Sequence, residues 1–381
     1  MKIVFVSNYF NHHQKPFSDA ISSLKDIEYY FIETQPIEEE RLLQGWKIYN
    51  GIEYLLRYYE EPKKCMSLID TADIVMVGSS PAKLMNRRLH ESKVIFRYAE
   101  RQIRSKPSIF QYIWWYIKWH KYYPAKKPVY LLCASAFSAA DYSRLGVFRE
   151  KAYKWGYFPH TSFTDIDSLL KKKQENKIIW VGRLLKLKHP DDVLLVAGRL
   201  REEGYQFTID FLGGGEMEQE LRTMAYSMGL NEQVRFLGFH PQEEVHSYME
   251  KAGIFLLTSD FREGWGAVLN EAMNTGCAAI ASHAAGSTAF LVRNGENGFV
   301  YRSGDTDELY SRIRYLLDYP DEQRRLGKAA YHTITQEWNE AVAAERFVDF
   351  SEHILAGEDP RNLFESGPCS KAEMIRNDWF G

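Results

Sequence analysis

Long apolar runs, clustered cysteines and a strong net charge are all missing from this sequence. No run approaches the ~18–20 apolar residues that a bilayer-spanning helix needs, so no membrane span is expected. The four cysteines, Cys65, Cys133, Cys277 and Cys369, are scattered, with no CxxC pair and no cysteine–histidine spacing. That argues against a structural zinc and for a reducing compartment. The formal net charge is only −3, so nothing in the overall balance courts a polyanion, and no nucleic-acid partner is expected. The opening MKIVFVSNYF reads directly as a strand, without the charged, apolar and small-residue succession of a signal peptide. The expected address is cytoplasmic, with possible association with the inner face of the cell membrane.

What is there is an alternation of short apolar runs and helical stretches, the pattern of an α/β protein. At 381 residues the chain has room for two domains of ~150 residues each. The run KIVFVS is followed by the polar loop NYFNHHQKP, and a helix begins near Pro16, a residue suited to a first helical turn. His12 and His13 therefore fall in the loop after the first strand, the edge where open α/β sheets bind ligands. Strands IEYYFIE, IEYLLRYY, ADIVMVG, KVIFRYA, PVYLLCAS and KAYKWGYF follow. Arg97, Glu100 and Arg101 again lie at a strand's C-terminal end, and Glu100 is a candidate acid or base toward an acceptor.

Residues 106–128, KPSIFQYIWWYIKWHKYYPAKKP, carry Trp114, Trp115, Trp119 and five lysines but no acidic residue. Aromatic rings with polar edges and lysines on long stems suit the water–lipid interface. Apolar residues on every side of a helix suit burial equally well. Peripheral membrane contact and core packing are both open for this segment. Residues 161–176 are polar and read as a linker. Asp165-Ile166-Asp167 and Asp305-Thr306-Asp307 have DxD spacing, but each precedes a helix and is read as a cap. No metal site is expected.

The second half begins with the strand IIWVG, then Gly182 and Arg183, with Lys188 before the next helix. A forked guanidinium and a point-charged ammonium at a strand end suit a diphosphate. The strand FTIDFL runs into Gly213, Gly214 and Gly215, which permit close backbone approach to a ligand. VRFLGF ends in Gly238 and Phe239, a turn able to stack on a planar base. The stretch SDFREGWGAVLNEAMNTG then joins two further strands, with Glu263 in its loop and Glu271 in its helix. Gly264, Trp265, Gly266, Ala267 and Val268 lead into that helix, whose free N–H groups favour an anion.

The succession VGRLxxxK, FLGGGE, VRFLGF, and Glu263 separated by seven residues from Glu271, resembles the retaining GT-B glycosyltransferases of family 4, from about Lys177 to Val348. The resemblance implies two Rossmann-like domains facing across a cleft, the second holding a nucleoside-diphosphate sugar. It implies that Arg183 and Lys188 grip the diphosphate and that Glu271 binds the ribose. Glu263 would touch the donor sugar, and the backbone of 264–268 would complete a cradle with Gly182, Gly214 and Phe239. The chain departs from the family pattern in its first loop, Asn11-His12-His13-Gln14, in its Arg97–Arg101 cluster, and after Gly286-Ser287, where an acidic residue is absent. His12, His13 and Glu100 remain the acceptor-side candidates.

The expected domains are 1–160 and 177–345, with a tail, 346–381, returning to the first through Phe364, Trp379 and Phe380. The expected activity is retaining, metal-independent sugar transfer to a hydroxyl of a glycan or lipid-linked acceptor, with no cofactor beyond the donor. A sugar-nucleotide epimerase or phosphorylase of the same fold, and a non-catalytic nucleotide-binding scaffold, stay open as alternatives.

Overall fold

All pairings between named strands are parallel. Parallel strands are covered on both faces, which is why they read as near-continuous apolar runs rather than alternating ones. The computed structural model describes residues 1–39, 46–105 and 107–381. The chain divides into two units, Met1–His160 with Asn339–Arg376, and Thr161–Trp338 with Asn377–Gly381.

The first unit contains β1 (Lys2–Ser7), β2 (Glu28–Glu33), β3 (Leu55–Arg57), β4 (Ile74–Val77), β5 (Ile95–Ala99), β6 (Val129–Cys133) and β7 (Ala152–Lys154). Their order is β3-β2-β1-β4-β5-β6-β7, so the winding direction reverses between β1 and β4. The third and last strands are shorter than their apolar sequences suggest. Both sit at sheet edges, where β3 pairs only with Phe31–Glu33 and β7 only with Leu131–Cys133 among the strands.

The helix Glu340–Leu355 belongs to this first unit. Its Phe347 ring packs on Phe17, Phe96 and Trp155, and Phe350 packs on Phe96, Tyr130 and Tyr153. Burying each of these rings contributes about 2–3 kcal/mol. Beyond it, Phe364 lies under the Arg346 guanidinium, and Lys371 bridges Tyr153 antiparallel at the outer edge of β7. Trp379 and Phe380 do not join this unit. Trp379 Nε1 donates to His283 O at 2.9 Å, and the Phe380 ring lies 6.3 Å from the His283 ring, both in the second unit.

The second unit contains β8 (Gln174–Val181), β9 (Thr208–Leu212), β10 (Val234–Gly238), β11 (Ala252–Leu257), β12 (Ala278–Ser282) and β13 (Phe299–Tyr301). The order β10-β9-β8-β11-β12-β13 is the doubly wound pattern, reversing between β8 and β11. Residues 161–176, expected as a linker, are part of this unit. The helix Ile166–Lys171 buries Ile166 and Leu169 against Tyr331, and Ser162 N donates to Asn274 Oδ1 at 2.8 Å. Its polar letters concealed a short apolar stripe. Asp165 and Asp305 are helix caps, accepting from Ser168 N and Glu308 N.

Candidate functional site

Ligands of a doubly wound sheet bind beyond the strand C-termini where the winding reverses. In the second unit that point lies between β8 and β11, and each of these strands delivers one member of an ion pair. Lys188 Nζ lies 2.5 Å from Glu263 Oε2, with the two side chains 15% and 16% exposed. Ser259 Oγ donates to the same carboxylate oxygen at 3.0 Å. The turn carrying Lys188 is held against the end of β11 at two points. Thr258 Oγ1 donates to Lys188 O at 2.5 Å while accepting from Trp180 Nε1 at 2.9 Å, and Asp260 N donates to Leu187 O at 2.8 Å. Arg183 is exposed and makes no ion pair among the described residues.

Gly182 leaves room for the Lys188 stem, since a Cβ there would stand 3.3 Å from Lys188 Cδ. The glycine run after β9 lies directly against this segment, with Gly182 N donating to Leu212 O and Leu184 N to Gly214 O. At Gly213, with φ of 123°, a Cβ would stand 2.0 Å from Gly182 O. At Gly215 it would stand 2.5 Å from Leu184 O. The backbone approach therefore depends on Gly213 and Gly215, whereas a Cβ at Gly214 would meet nothing closer than Glu218 Oε2 at 3.5 Å. After β10, Phe239 is 70% exposed, an unburied ring beside the Gly213–Gly238 bridge.

Glu271 Oε1 accepts from Gln242 Nε2 at 2.7 Å and lies 3.8 Å from His246 Nε2. The carboxylate raises the His246 pKa above its ordinary value, against the opposing effect of burial. Glu271 is thus held by the helix Gln242–Lys251. The stretch Gly264–Val268, expected to offer its backbone, leads into the helix Val268–Asn274, and within it the Trp265 side chain faces the core. Its indole is buried, donates to Asn270 Oδ1 at 2.9 Å and packs near Phe290 and Trp338. Trp265 O accepts from Ser287 N at 3.0 Å.

Among the described residues one group has metal-ligand chemistry, His189 with Asp191 and Asp192. His189 Nε2 is 3.4 Å from Asp260 Oδ2, and burial raises the Asp192 pKa. The raised Asp192 pKa works against a dication, which needs charged carboxylates.

In the first unit, the loop after β1 and the ends of β5 and β7 bring the acceptor-side candidates together. The His12 and His13 rings are 4.0 Å apart, and His13 lies 5.3 Å from the Tyr157 ring. Tyr157 OH donates to Glu100 Oε1 at 2.7 Å, while Glu100 Oε2 pairs with Arg104. His13 Nδ1 is sealed from solvent and has no hydrogen-bond partner among the described residues. Burial, with a smaller effect from His12, pushes its pKa down to about 3. His13 is consequently neutral at physiological pH and a poor general base. Arg97 and Arg101 are structural: Arg97 donates to Val77 O and Gly78 O, and the buried Arg101 pairs with Asp141 at 3.3 Å.

Sequence reasoning did not single out Ser259, Gln242, His246 or Tyr157. Gln242 and His246 stand four apart on one helix, the spacing that puts two side chains on one face. Tyr157 lies within KAYKWGYF, a run that reads as one continuous strand.

Residues 162–333, just under half of the chain, match the family described as Glycosyl transferases group 1. The chain is 26% identical over 248 residues to the putative glycosyltransferase EpsD of Bacillus subtilis, covering 61% of this chain and 64% of that protein. It is 27% identical over 186 residues to the amylovoran biosynthesis glycosyltransferase AmsK of Erwinia amylovora, covering 48% and 46%. The match thus spans less than two thirds of either relative. Over nearly the whole chain the fold is that of GT-B glycosyltransferases. Anabaena HepE in complex with UDP aligns with a TM-score of 0.67 at 16% identity, covering 92% of this chain and 99% of HepE. The lipopolysaccharide outer core galactosyltransferase WaaB aligns with a TM-score of 0.67 at 16% identity, covering 92% and 98%.

Proposed function

We propose that this chain transfers a sugar from a nucleoside-diphosphate sugar to a hydroxyl of a glycan or lipid-linked acceptor. In this reading the transfer retains anomeric configuration, needs no bound metal and serves polysaccharide or lipid-linked glycan assembly. The observation that carries the reading is the Lys188–Glu263 pair at the winding reversal of the second sheet. EpsD and AmsK, both named as glycosyltransferases, support it.

In the transfer the bond between the anomeric carbon and the diphosphate oxygen breaks, and the electron pair leaves with the diphosphate. Lys188 and Arg183 stabilise that growing negative charge, the electrostatic contribution usually largest in such reactions. An ammonium has three N–H donors, so Lys188 can keep Glu263 while also binding phosphate oxygens. Glu271 takes the ribose hydroxyls, Phe239 stacks on the base, and Glu263 orients the sugar. The acceptor oxygen bonds to the anomeric carbon on the face the diphosphate leaves, and its proton passes to a departing phosphate oxygen.

The test is to incubate the full chain with a panel of nucleotide sugars and glycan acceptors in excess chelator, following anomeric signals by NMR. An α-linked product from an α-configured donor supports the proposal. Inversion, an absolute metal requirement, or epimerisation of the donor without transfer would overturn the corresponding part of it.

A further inference from the structure

We propose that the helix Ile109–Tyr122 docks the protein on an anionic lipid surface through its outer face. The sequence left membrane docking and core packing equally open for this segment, of which Lys106 lies outside the described residues. The structure divides the helix lengthwise. Its inner stripe is core: Trp119 is buried, stacks on Tyr123 at 5.4 Å and meets Tyr142 edge-on at 5.8 Å, and Tyr112 OH donates to Arg144 O at 2.5 Å.

The outer stripe is Ile109, Phe110, Ile113, Trp114 and Ile117, which are 48–81% exposed. Their spacing of i, i+1, i+4, i+5 and i+8 places all five on one side of the helix. A contiguous apolar face of this kind on a water-soluble surface marks an interaction site.

Charge decides which surface it fits. Residues 107–128 contain Lys118, Lys121, Lys126 and Lys127 and no acidic residue. Lys118 Nζ lies 4.8 Å from the Trp114 ring centroid and 4.6 Å from that of Trp119, and Lys121 Nζ lies 5.7 Å from that of Tyr122. Lys126 is exposed. Lys127 is committed elsewhere, donating to Ser92 Oγ at 2.7 Å. Lysines flanking an apolar stripe with Trp and Tyr at its margin suit the boundary between acyl chains and anionic headgroups. A second copy of the same face is a poorer partner, because it would bring lysines of like charge together. With 14 residues the helix is about 21 Å long at 1.5 Å per residue, short of the ~30 Å hydrocarbon core. It therefore lies along the surface rather than crossing it.

This inference goes beyond the proposed transfer and can fail without it. The test is co-sedimentation of the full chain with vesicles of phosphatidylcholine alone, or of phosphatidylcholine and phosphatidylglycerol in equal parts. The same measurements are made on the triple variant Phe110→Ser, Trp114→Ser, Ile117→Ser, whose exposed positions should leave the melting temperature unchanged. The expected result is binding to the anionic vesicles that salt weakens, with a loss of about tenfold or more in the variant. Absence of wild-type binding, or a well-folded variant that binds equally, would overturn the proposal. So would equal binding to neutral vesicles, or a dimer in ultracentrifugation that the variant dissolves without any vesicle binding by the wild type.

Discussion

Replacing Lys188 by Met separates its charge from its bulk. The thioether retains much of the apolar stem that runs beside Gly182, while the ammonium is lost. Glu263 then keeps Ser259 Oγ at 3.0 Å but loses a cation at 2.5 Å in a pocket where both side chains are about five-sixths buried. Removing one partner of a buried pair costs about 3–5 kcal/mol. The retained hydroxyl and the partial exposure place this site at the lower end, about 3 kcal/mol. For a domain of this size that is a fall of about 6–12 °C in melting temperature. Turnover should fall about 10²–10³-fold, the usual effect of deleting one donor to developing charge.

The double variant Lys188→Met/Glu263→Gln removes both charges and should recover most of the lost stability. It should recover none of the activity. Thermal melts and steady-state transfer assays on the wild type, both single variants and the double variant complete the cycle. Wild-type turnover in Lys188→Met, or activity regained in the double variant alongside stability, would refute a leaving-group role for the lysine.

Other outcomes follow from the same geometry. Glu271→Ala should weaken nucleoside-diphosphate binding about 10–100-fold, as expected for hydrogen bonds to a charged group. It should also lower the His246 pKa, which an NMR titration would read; unchanged calorimetric affinity counts against the ribose role. Gly213→Ala should cost more than about 1 kcal/mol because the new methyl meets Gly182 O at a left-handed φ, while Gly214→Ala should cost less. Denaturant midpoints in the reverse order would discredit the close approach of the two loops. His13 titrates near 3 when folded and near 6.5 when unfolded. The unfolded state therefore takes up the extra proton as pH falls between these values, and stability declines, by at most about 1.4 kcal/mol per pH unit. His13→Gln should flatten that decline in pH-dependent melts; an unchanged slope assigns it to other groups.

The strands, and the meeting of Lys188 and Glu263 at one sheet edge, were legible because chain order alone carries them. A strand buried on both faces, such as AAIAS in β12, announces itself by composition. Lys188 and Glu263 follow β8 and β11 so closely that the fold leaves them little choice of edge. The facing of a side chain is harder to read. Trp265 sits between two glycines in an apparent loop, yet its ring fills a gap beside Phe290 and Trp338 that only tertiary packing creates. Trp114 and Trp119 share one helix with opposite fates, and nothing in their composition separates the exposed ring from the buried one. Residues 161–176 looked like a linker because three apolar side chains, Ile166, Leu169 and Leu170, were diluted among charges. Tyr157 was hidden for the opposite reason: an aromatic run extended the apparent strand past Lys154, where pairing ends.

The account rests on a diphosphate held at the end of β8. Calorimetry with UDP, GDP and ADP, each against its monophosphate, tests that directly in the wild type and in Arg183→Ala/Lys188→Met. At least one diphosphate should bind about tenfold or more tighter than its monophosphate, a gap matching the loss of charge-assisted hydrogen bonds. That gap should close in the double variant. A diphosphate bound no better than its monophosphate, or a gap that survives the loss of both cations, would contradict the central claim.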